Sequence, residues 1–184
     1  MNADPQVFPG LIETVRALEM VLTGATDFQP IEHISLTLLR VAIAFVVTMS
    51  IGVPLGIVMG TNEFSEDYLS IWALLLLTFP AIVWAFLGVI WWGFTMLLVP
   101  VFVATMTCIP FAIFNTWEGM KDVDQDLLKM ADSFRVSQYR LWRHVFVPHL
   151  LPYIFASMRM VISVGWKVML VAEIFGSQRG VGFV

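Results

Sequence analysis

The sequence predicts an all-α fold, a polytopic membrane helical bundle, from its composition and the spacing of its charges. Of its 184 residues, 59% are hydrophobic and 13% are charged, and the mean hydropathy is +0.84. A soluble domain carries about 25% charged residues. Residues 68–117 contain no charged residue. This run is far longer than the about 20 apolar residues that one membrane crossing needs.

A long polar stretch begins immediately after this uncharged run. Residues 118–143 carry five acids and five bases, which is half of all the Lys and Arg in the chain. Lys and Arg concentrate in loops on the cytoplasmic side of a membrane. The sequence therefore predicts a cytosolic loop at residues 118–148, and this loop sets the orientation of the other segments.

Four membrane crossings are predicted. Trp91-Trp92-Gly93 combines an interfacial aromatic pair with a helix breaker, so the uncharged run divides there. The expected spans are residues 34–60, 68–92, 95–117 and 149–175, within a transmembrane domain over residues 34–184. Residues 1–33 carry an amphipathic stripe but are too short and too charged to cross. We expect them to form an external segment at the membrane edge.

Two short amphipathic helices are predicted within the loop. Hydrophobic residues recur there at spacings of three and four, which places them on one helical face. They are Val123, Leu127, Met130, Ala131 and Phe134. Ser137 is a candidate cap for a second helix, and Pro148 is expected to end that helix. Such helices need a surface to bury against, so the loop implies a partner.

The loop also carries a recognisable spacing. Lys129-Met130-Ala131, then Arg135, then Val145-Phe146-Val147-Pro148 follow the pattern E-A-A-x3-G-x9-I-x-L-P. In this the chain resembles the permease subunits of bacterial ABC importers. The flanking residues, Asn115 to Met120 before the loop and Ala172-Glu173 with Gly180-Val181-Gly182 after it, are similar to the branch that imports nitrate, sulfonates and taurine.

The resemblance implies a type I ABC importer permease fold in the bacterial inner membrane, with one further span at each end that this chain lacks. It implies a cytosolic ABC ATPase that holds ATP-Mg, an external solute-binding protein, a second permease copy and surrounding lipid as partners. It also implies an ATPase-coupling contact formed by Leu127, Leu128, Lys129, Met130, Ala131, Phe134 and Arg135, with Val145 and Pro148 anchoring the loop to the spans.

Two positions depart from the family pattern. Lys129 stands where the motif has glutamate, and Arg135 stands where it has glycine. Glycine permits a turn with positive φ, which arginine resists. Three outcomes follow: the turn differs, the coupling is impaired, or the partner compensates with an acid opposite Lys129.

Candidate substrate-path residues are Pro80, Lys167 and Glu173. Pro80 removes a backbone hydrogen bond in mid-span, which either only kinks the helix or opens a substrate path. Lys167 is placed to attract an anionic solute, or else to pair with a carbonyl or an acid. Glu173 is expected near the outer face, where it either forms a structural hydrogen bond or contacts solute. Arg40 either contacts solute or, as the favoured interpretation, anchors its helix by extending its charge to the membrane surface (a snorkelling anchor).

Catalytic signatures are absent from the sequence. It contains no P-loop motif, no nucleophile motif and no metal-ligand spacing around its three histidines, so we expect no enzyme activity, no metal and no cofactor in this chain. Its net charge of −4 and lack of a basic cluster give no indication of nucleic-acid binding. An ATP-independent channel or secondary transporter stays as the alternative, although such proteins usually pair acids with bases across spans.

Overall fold

The computed structural model describes Val15 and residues 30–183, and the regular structure in this part of the chain is entirely helical. This confirms the predicted fold class. The predicted external segment lies almost wholly outside the described residues. The helices are α1 Pro30–Thr61, α2 Glu63–Thr78, α3 Ala81–Trp92, α4 Leu98–Lys121, α5 Gln125–Ser133, α6 Gln138–Leu141, a π-helical segment Trp142–Phe146, and α7 Val147–Gly176.

Three helical runs are long and apolar enough to cross a membrane: α1, α4, and the continuous run Gln138–Gly176. Helices α2 and α3 form a bent pair with an angle of 92° between them, and they make a fourth crossing if the pair is one broken span. The break falls at Pro80, which precedes the first residue of α3 and has no N–H to continue the ladder of α2. The predicted span 68–92 is thus two helices that meet at a sharp corner.

Helix α4 lies at the centre of the bundle and packs against α1, α2, α3 and α7. Glycines let α1 approach it closely. A Cβ built on Gly52 would lie 2.5 Å from the Cβ of Ala112, and one built on Gly56 would lie 2.6 Å from the carbonyl oxygen of Ile113. Neither position has room for a side chain, so the α1–α4 contact depends on small residues, as is common between membrane helices.

The predicted end of the second loop helix at Pro148 is wrong. The helix continues through the π-helical segment into α7, and Pro148 lies in the first turn of α7. The N–H of Val147 donates to the carbonyl of Trp142, five residues earlier. This wider turn changes the hydrogen-bond register just before the proline, so the missing N–H of Pro148 falls where the ladder is already shifted.

Candidate functional site

The polar loop (residues 118–148) is tied to one end of the bundle, which we call the loop end. Met120 and Val123 are buried there. The hydroxyl of Tyr153 on α7 donates to Oδ2 of Asp122 over 2.5 Å. A Cβ built on Gly119 would lie 2.6 Å from the ring of Tyr153, so α4 and α7 are in close contact where the loop begins.

Helix α5 begins at an aspartate cap. The side chain of Asp124 accepts a hydrogen bond from the N–H of Asp126 over 2.8 Å, as an N-cap residue does. Beyond the cap, three large side chains point away from the bundle: Leu127 is 49% exposed, Met130 58% and Phe134 74%. Val123 does not share this face, because it precedes the helix and is buried against the bundle.

These exposed side chains border an open, almost wholly apolar groove of about 410 Å³ between α5 and the start of the Gln138–Gly176 run. We call it the loop groove. Its walls are Leu127, Met130, Ala131, Phe134, Val136, Arg140, Leu141, His144 and Val145. The structure therefore gathers Leu127, Met130, Ala131 and Phe134 with the predicted anchor Val145 into one surface.

The other predicted loop residues lie outside that surface. Leu128 borders a second, more polar cavity of about 530 Å³ between α5 and the loop end of α1 and α4. Lys129 is 75% exposed, and its Nζ lies 3.1 Å from Oδ1 of Asp126 in the same helix. Pro148 is exposed in the first turn of α7. This cavity separates α5 from the bundle. The position of α5 therefore depends mainly on the residues at its two ends.

Arg135 adopts a positive φ of 50°, and it is the only residue other than glycine to do so in the described part of the chain. The N–H of Val136 donates to the carbonyl of Ala131 over 2.9 Å, and the N–H of Arg135 donates to that of Asp132 over 2.8 Å. This pair of bonds is the Schellman ending of a helix, which favours glycine at the position of Arg135. Arg135 therefore makes the positive-φ turn that a glycine would favour, and impaired coupling and compensation by the partner stay open.

We expect Arg135→Gly to stabilise this turn locally by about 1 kcal/mol, because a left-handed backbone costs a residue with a Cβ about 1–2 kcal/mol. Hydrogen exchange at the amide of Val136 in the full-length protein measures the effect and should slow by about fivefold. Arg135→Ala is the control, since it removes the charge but keeps the Cβ. Equal exchange rates in the glycine and alanine variants would contradict the assignment of backbone strain to this position.

Glu173 lies near the end of α7 opposite the loop and is completely buried beside Arg40 of α1, which is also completely buried. Nη1 of Arg40 lies 2.5 Å from Oε1 of Glu173. The same carboxylate oxygen accepts from the hydroxyl of Thr37 over 2.7 Å, and Oε2 accepts from the N–H of Gly182 over 2.9 Å. The interpretation of Arg40 as a snorkelling anchor is wrong, because its guanidinium is buried in an ion pair.

The buried pair also holds the segment that follows α7. The guanidinium of Arg40 donates to the carbonyl of Arg179 over 2.7 Å and to the hydroxyl of Ser177 over 2.9 Å. Gly180, with a φ of 133°, passes so close to Glu173 that a Cβ there would overlap the carboxylate. Residues 177–183 are therefore fastened to α1 and α7 by one hydrogen-bonded cluster, which we call the Arg40–Glu173 cluster.

The candidate substrate-path residues are not brought together. Pro80 is exposed at the corner between α2 and α3, Lys167 is exposed on α7, and Glu173 is buried in its cluster. Sequence reasoning missed the partnership of Arg40 with Glu173. The sequence did contain a signal for it. Arg40 and Glu173 both lie inside predicted spans, and each is near the end of its span that is expected on the outer side. Within the described residues, no group of His, Cys, Asp and Glu is placed to hold a metal ion.

Long apolar helices with a polar loop held at one end define a polytopic helical membrane protein. The chain belongs to the family of binding-protein-dependent transport system inner membrane components, whose model matches residues 52–184. This confirms the predicted resemblance and the predicted location in the inner membrane.

The relatives are transport permeases of the nitrate, sulfonate and taurine branch. The chain is 28% identical to a Bacillus subtilis (strain 168) protein assigned as an aliphatic sulfonates transport permease, over 90% of this chain and 58% of that protein. It is 28% identical to the taurine transport system permease protein of Escherichia coli (strain K12), over 92% and 63%. It is 28% identical to the nitrate import permease protein of Synechocystis sp. (strain ATCC 27184 / PCC 6803 / Kazusa), over 87% and 58%. The chain thus spans about three fifths of the length of these relatives.

Proposed function

We propose that this chain contributes the membrane-spanning subunit of an importer driven by ATP hydrolysis on a separate cytosolic ABC ATPase. Its solute is a small anion or sulfonate, such as nitrate, an aliphatic sulfonate or taurine. The observation that carries the proposal is the loop groove, an exposed apolar surface on the most polar segment of the chain. The names of the relatives support the solute class.

The loop groove is the surface that receives the ATPase. Large exposed apolar patches on the water-facing part of a protein mark interaction sites. Met130 and Phe134 project from α5 as anchors of the kind that dominate protein interfaces, and the adjoining helix supplies the opposite wall. Lys129 is 75% exposed at the side of α5, where its only charged contact in the described residues is Asp126 of the same helix, and it is within reach of an acidic residue on the partner. ATP and Mg²⁺ remain on the ATPase chain.

Movement passes from the loop to the spans. Two permease copies form the pathway, and each loop groove docks on one ATPase. ATP binding draws the two ATPases together, and the docked loops follow them. Since the loop continues without interruption from Gln138 into α7, displacement of the groove rocks a whole span. An external binding protein delivers solute to the opposite face.

An ATP-independent channel or secondary transporter is the second candidate, and the Arg40–Glu173 pair is the observation that favours it. Acid–base pairs across spans are typical of proton- and ion-coupled carriers. Here, however, the carboxylate already accepts hydrogen bonds from Thr37, Arg40 and Gly182, and both charged side chains are fully buried. A carboxylate held by three donors beside a buried counter-charge suits a structural role better than ion coupling. A secondary transporter would also leave the loop groove without a role.

Reconstituted transport tests the proposal. The full-length protein, its ATPase and its binding protein are placed in proteoliposomes, and uptake of labelled nitrate and labelled taurine is measured. We expect uptake of at least one solute that stops when ATP is omitted and persists when an ionophore collapses the membrane potential. Uptake that follows the membrane potential and ignores ATP would favour the secondary transporter.

A further inference from the structure

Helix α7 carries a polar stripe within the membrane-spanning part of the chain. Arg159, Ser163 and Lys167 follow one another at a spacing of four, which places them on one helical face. All three are exposed. The opposite face of α7 packs against the bundle through buried residues, namely Ser157, Val161, Val168, Met169 and Ala172. The stripe therefore faces away from the described part of the chain.

Exposure of this stripe to the lipid hydrocarbon would be energetically unfavourable. A charged side chain in the middle of a membrane helix costs about 2.5–3.5 kcal/mol, even on the scales that give the smallest values. Lys167 lies nine residues before the end of α7 at Gly176, which is about 14 Å at about 1.5 Å per residue, further than a lysine side chain extends. Within the described residues, neither Arg159 nor Lys167 forms an ion pair or a side-chain hydrogen bond.

A second copy of the described residues offers no acid to neutralise the stripe. Among the described residues, Glu173 is the only acid of α7, and it already accepts hydrogen bonds from Thr37, Arg40 and Gly182. The remaining acids of the membrane helices lie at the start of α1, in the first two turns of α2 and in the last turn of α4; they are Glu32, Glu63, Glu66, Asp67 and Glu118. None lies at the depth of Lys167.

We propose that Arg159, Ser163 and Lys167 line a water-filled passage and form successive contacts for a small oxyanion. This deepens the proposed function and rests on it, because it assigns the residues that an imported nitrate or sulfonate group meets. The guanidinium of Arg159 can bind two oxygens at once, Ser163 supplies a hydroxyl donor, and Lys167 supplies a point charge. The two cations are about 12 Å apart along the axis, so an anion passes from one to the other through the hydroxyl between them.

Charge-selective cysteine labelling tests the passage. Cys108, the single cysteine of the chain, is buried and is first replaced by alanine, and Ser163→Cys is then introduced into the full-length protein in membranes. The thiol is treated with a negatively charged and with a positively charged methanethiosulfonate, each rate being divided by the rate of the same reagent with a free thiol in solution. Val46→Cys is the control, an exposed position on the apolar surface of α1.

We expect the negative reagent to modify Ser163→Cys about tenfold faster than the positive one after this correction, and nitrate or ethanesulfonate to slow it. Adding Lys167→Gln should remove most of the preference. Val46→Cys should react with neither charged reagent. Equal rates for the two reagents, unaffected by Lys167→Gln, would overturn the anion contact. Reaction of Ser163→Cys with membrane-permeant N-ethylmaleimide alone, or with no reagent, would overturn the passage itself, because the stripe would then face lipid or protein.

The labelling requires no ATPase, so its result is independent of the driving force. Charge-selective labelling without ATP-dependent uptake would support the anion passage and contradict the proposal that ATP hydrolysis drives import. ATP-dependent uptake without charge-selective labelling would keep the importer and reject this stripe as its solute contact.

Discussion

Replacing Phe134 with aspartate is expected to abolish binding of the ATPase to the full-length protein. The side chain is 74% exposed on the rim of the loop groove, and its burial in an interface contributes about 2–3 kcal/mol. Aspartate loses that burial and places a charge in an apolar contact, which adds the cost of removing the carboxylate from water. We therefore expect an affinity loss of more than about 100-fold, measured by biolayer interferometry on detergent-solubilised protein.

Two alanine variants make this prediction specific to the groove. Phe134→Ala should weaken binding by about 30-fold, since only the apolar burial is lost. Phe94→Ala removes an equally large, exposed ring from the segment between α3 and α4 and should leave the affinity unchanged. If Phe134→Asp binds the ATPase with unaltered affinity, the ATPase contact does not lie at the loop groove.

Breaking the Arg40–Glu173 pair is expected to cause a large loss of stability, because both side chains are completely buried. Glu173→Gln keeps the shape of the side chain but leaves the buried guanidinium of Arg40 without a counter-charge. Removing one partner of a buried ion pair costs about 3–5 kcal/mol. The measurement is the free energy of unfolding of the full-length protein in detergent, followed by helical signal.

An exposed pair from the same region is the matched control. Nη1 of Arg179 lies 2.8 Å from Oε1 of Glu32, with the two side chains 54% and 48% exposed, and such pairs contribute about 0–1 kcal/mol. Arg179→Met should therefore be nearly neutral. The double variant Arg40→Met with Glu173→Leu should recover much of the loss, because neither charge is then buried alone. A cost for Glu173→Gln no larger than that for Arg179→Met would exclude a structural role for the pair.

Hydropathy and charge spacing were sufficient for the helical membrane fold and for the amphipathic character of α5, because both arise from residues close together in sequence. The Arg40–Glu173 cluster could not be derived in this way, since its partners are 133 positions apart and only tertiary packing brings them together. The sequence predicted a bend at Pro80 within one span but could not give the 92° angle, which depends on how α2 and α3 each meet α4.

Local rules also failed where the backbone adopts an uncommon state. Arginine resists positive φ, yet Arg135 takes the turn expected of glycine, because the two hydrogen bonds that end α5 require it. Proline commonly ends helices, yet Pro148 lies inside one, because the π-helical segment shifts the register just before it. In both cases, the surrounding hydrogen bonds decide the conformation rather than the preference of the single residue.

The uninterrupted run Gln138–Gly176 has 39 residues, which makes a rod about 58 Å long at about 1.5 Å per residue. A tilt of about 10° at the groove end moves the far tip by about 10 Å on that length, roughly the width of an α-helix with its side chains. Residues 177–183, which the Arg40–Glu173 cluster fastens to both α1 and α7, lie at that tip. In the mechanism proposed above, docking of the ATPase on a few side chains of the loop groove would therefore be amplified along this continuous helix into a displacement of about 10 Å at the opposite face of the bilayer.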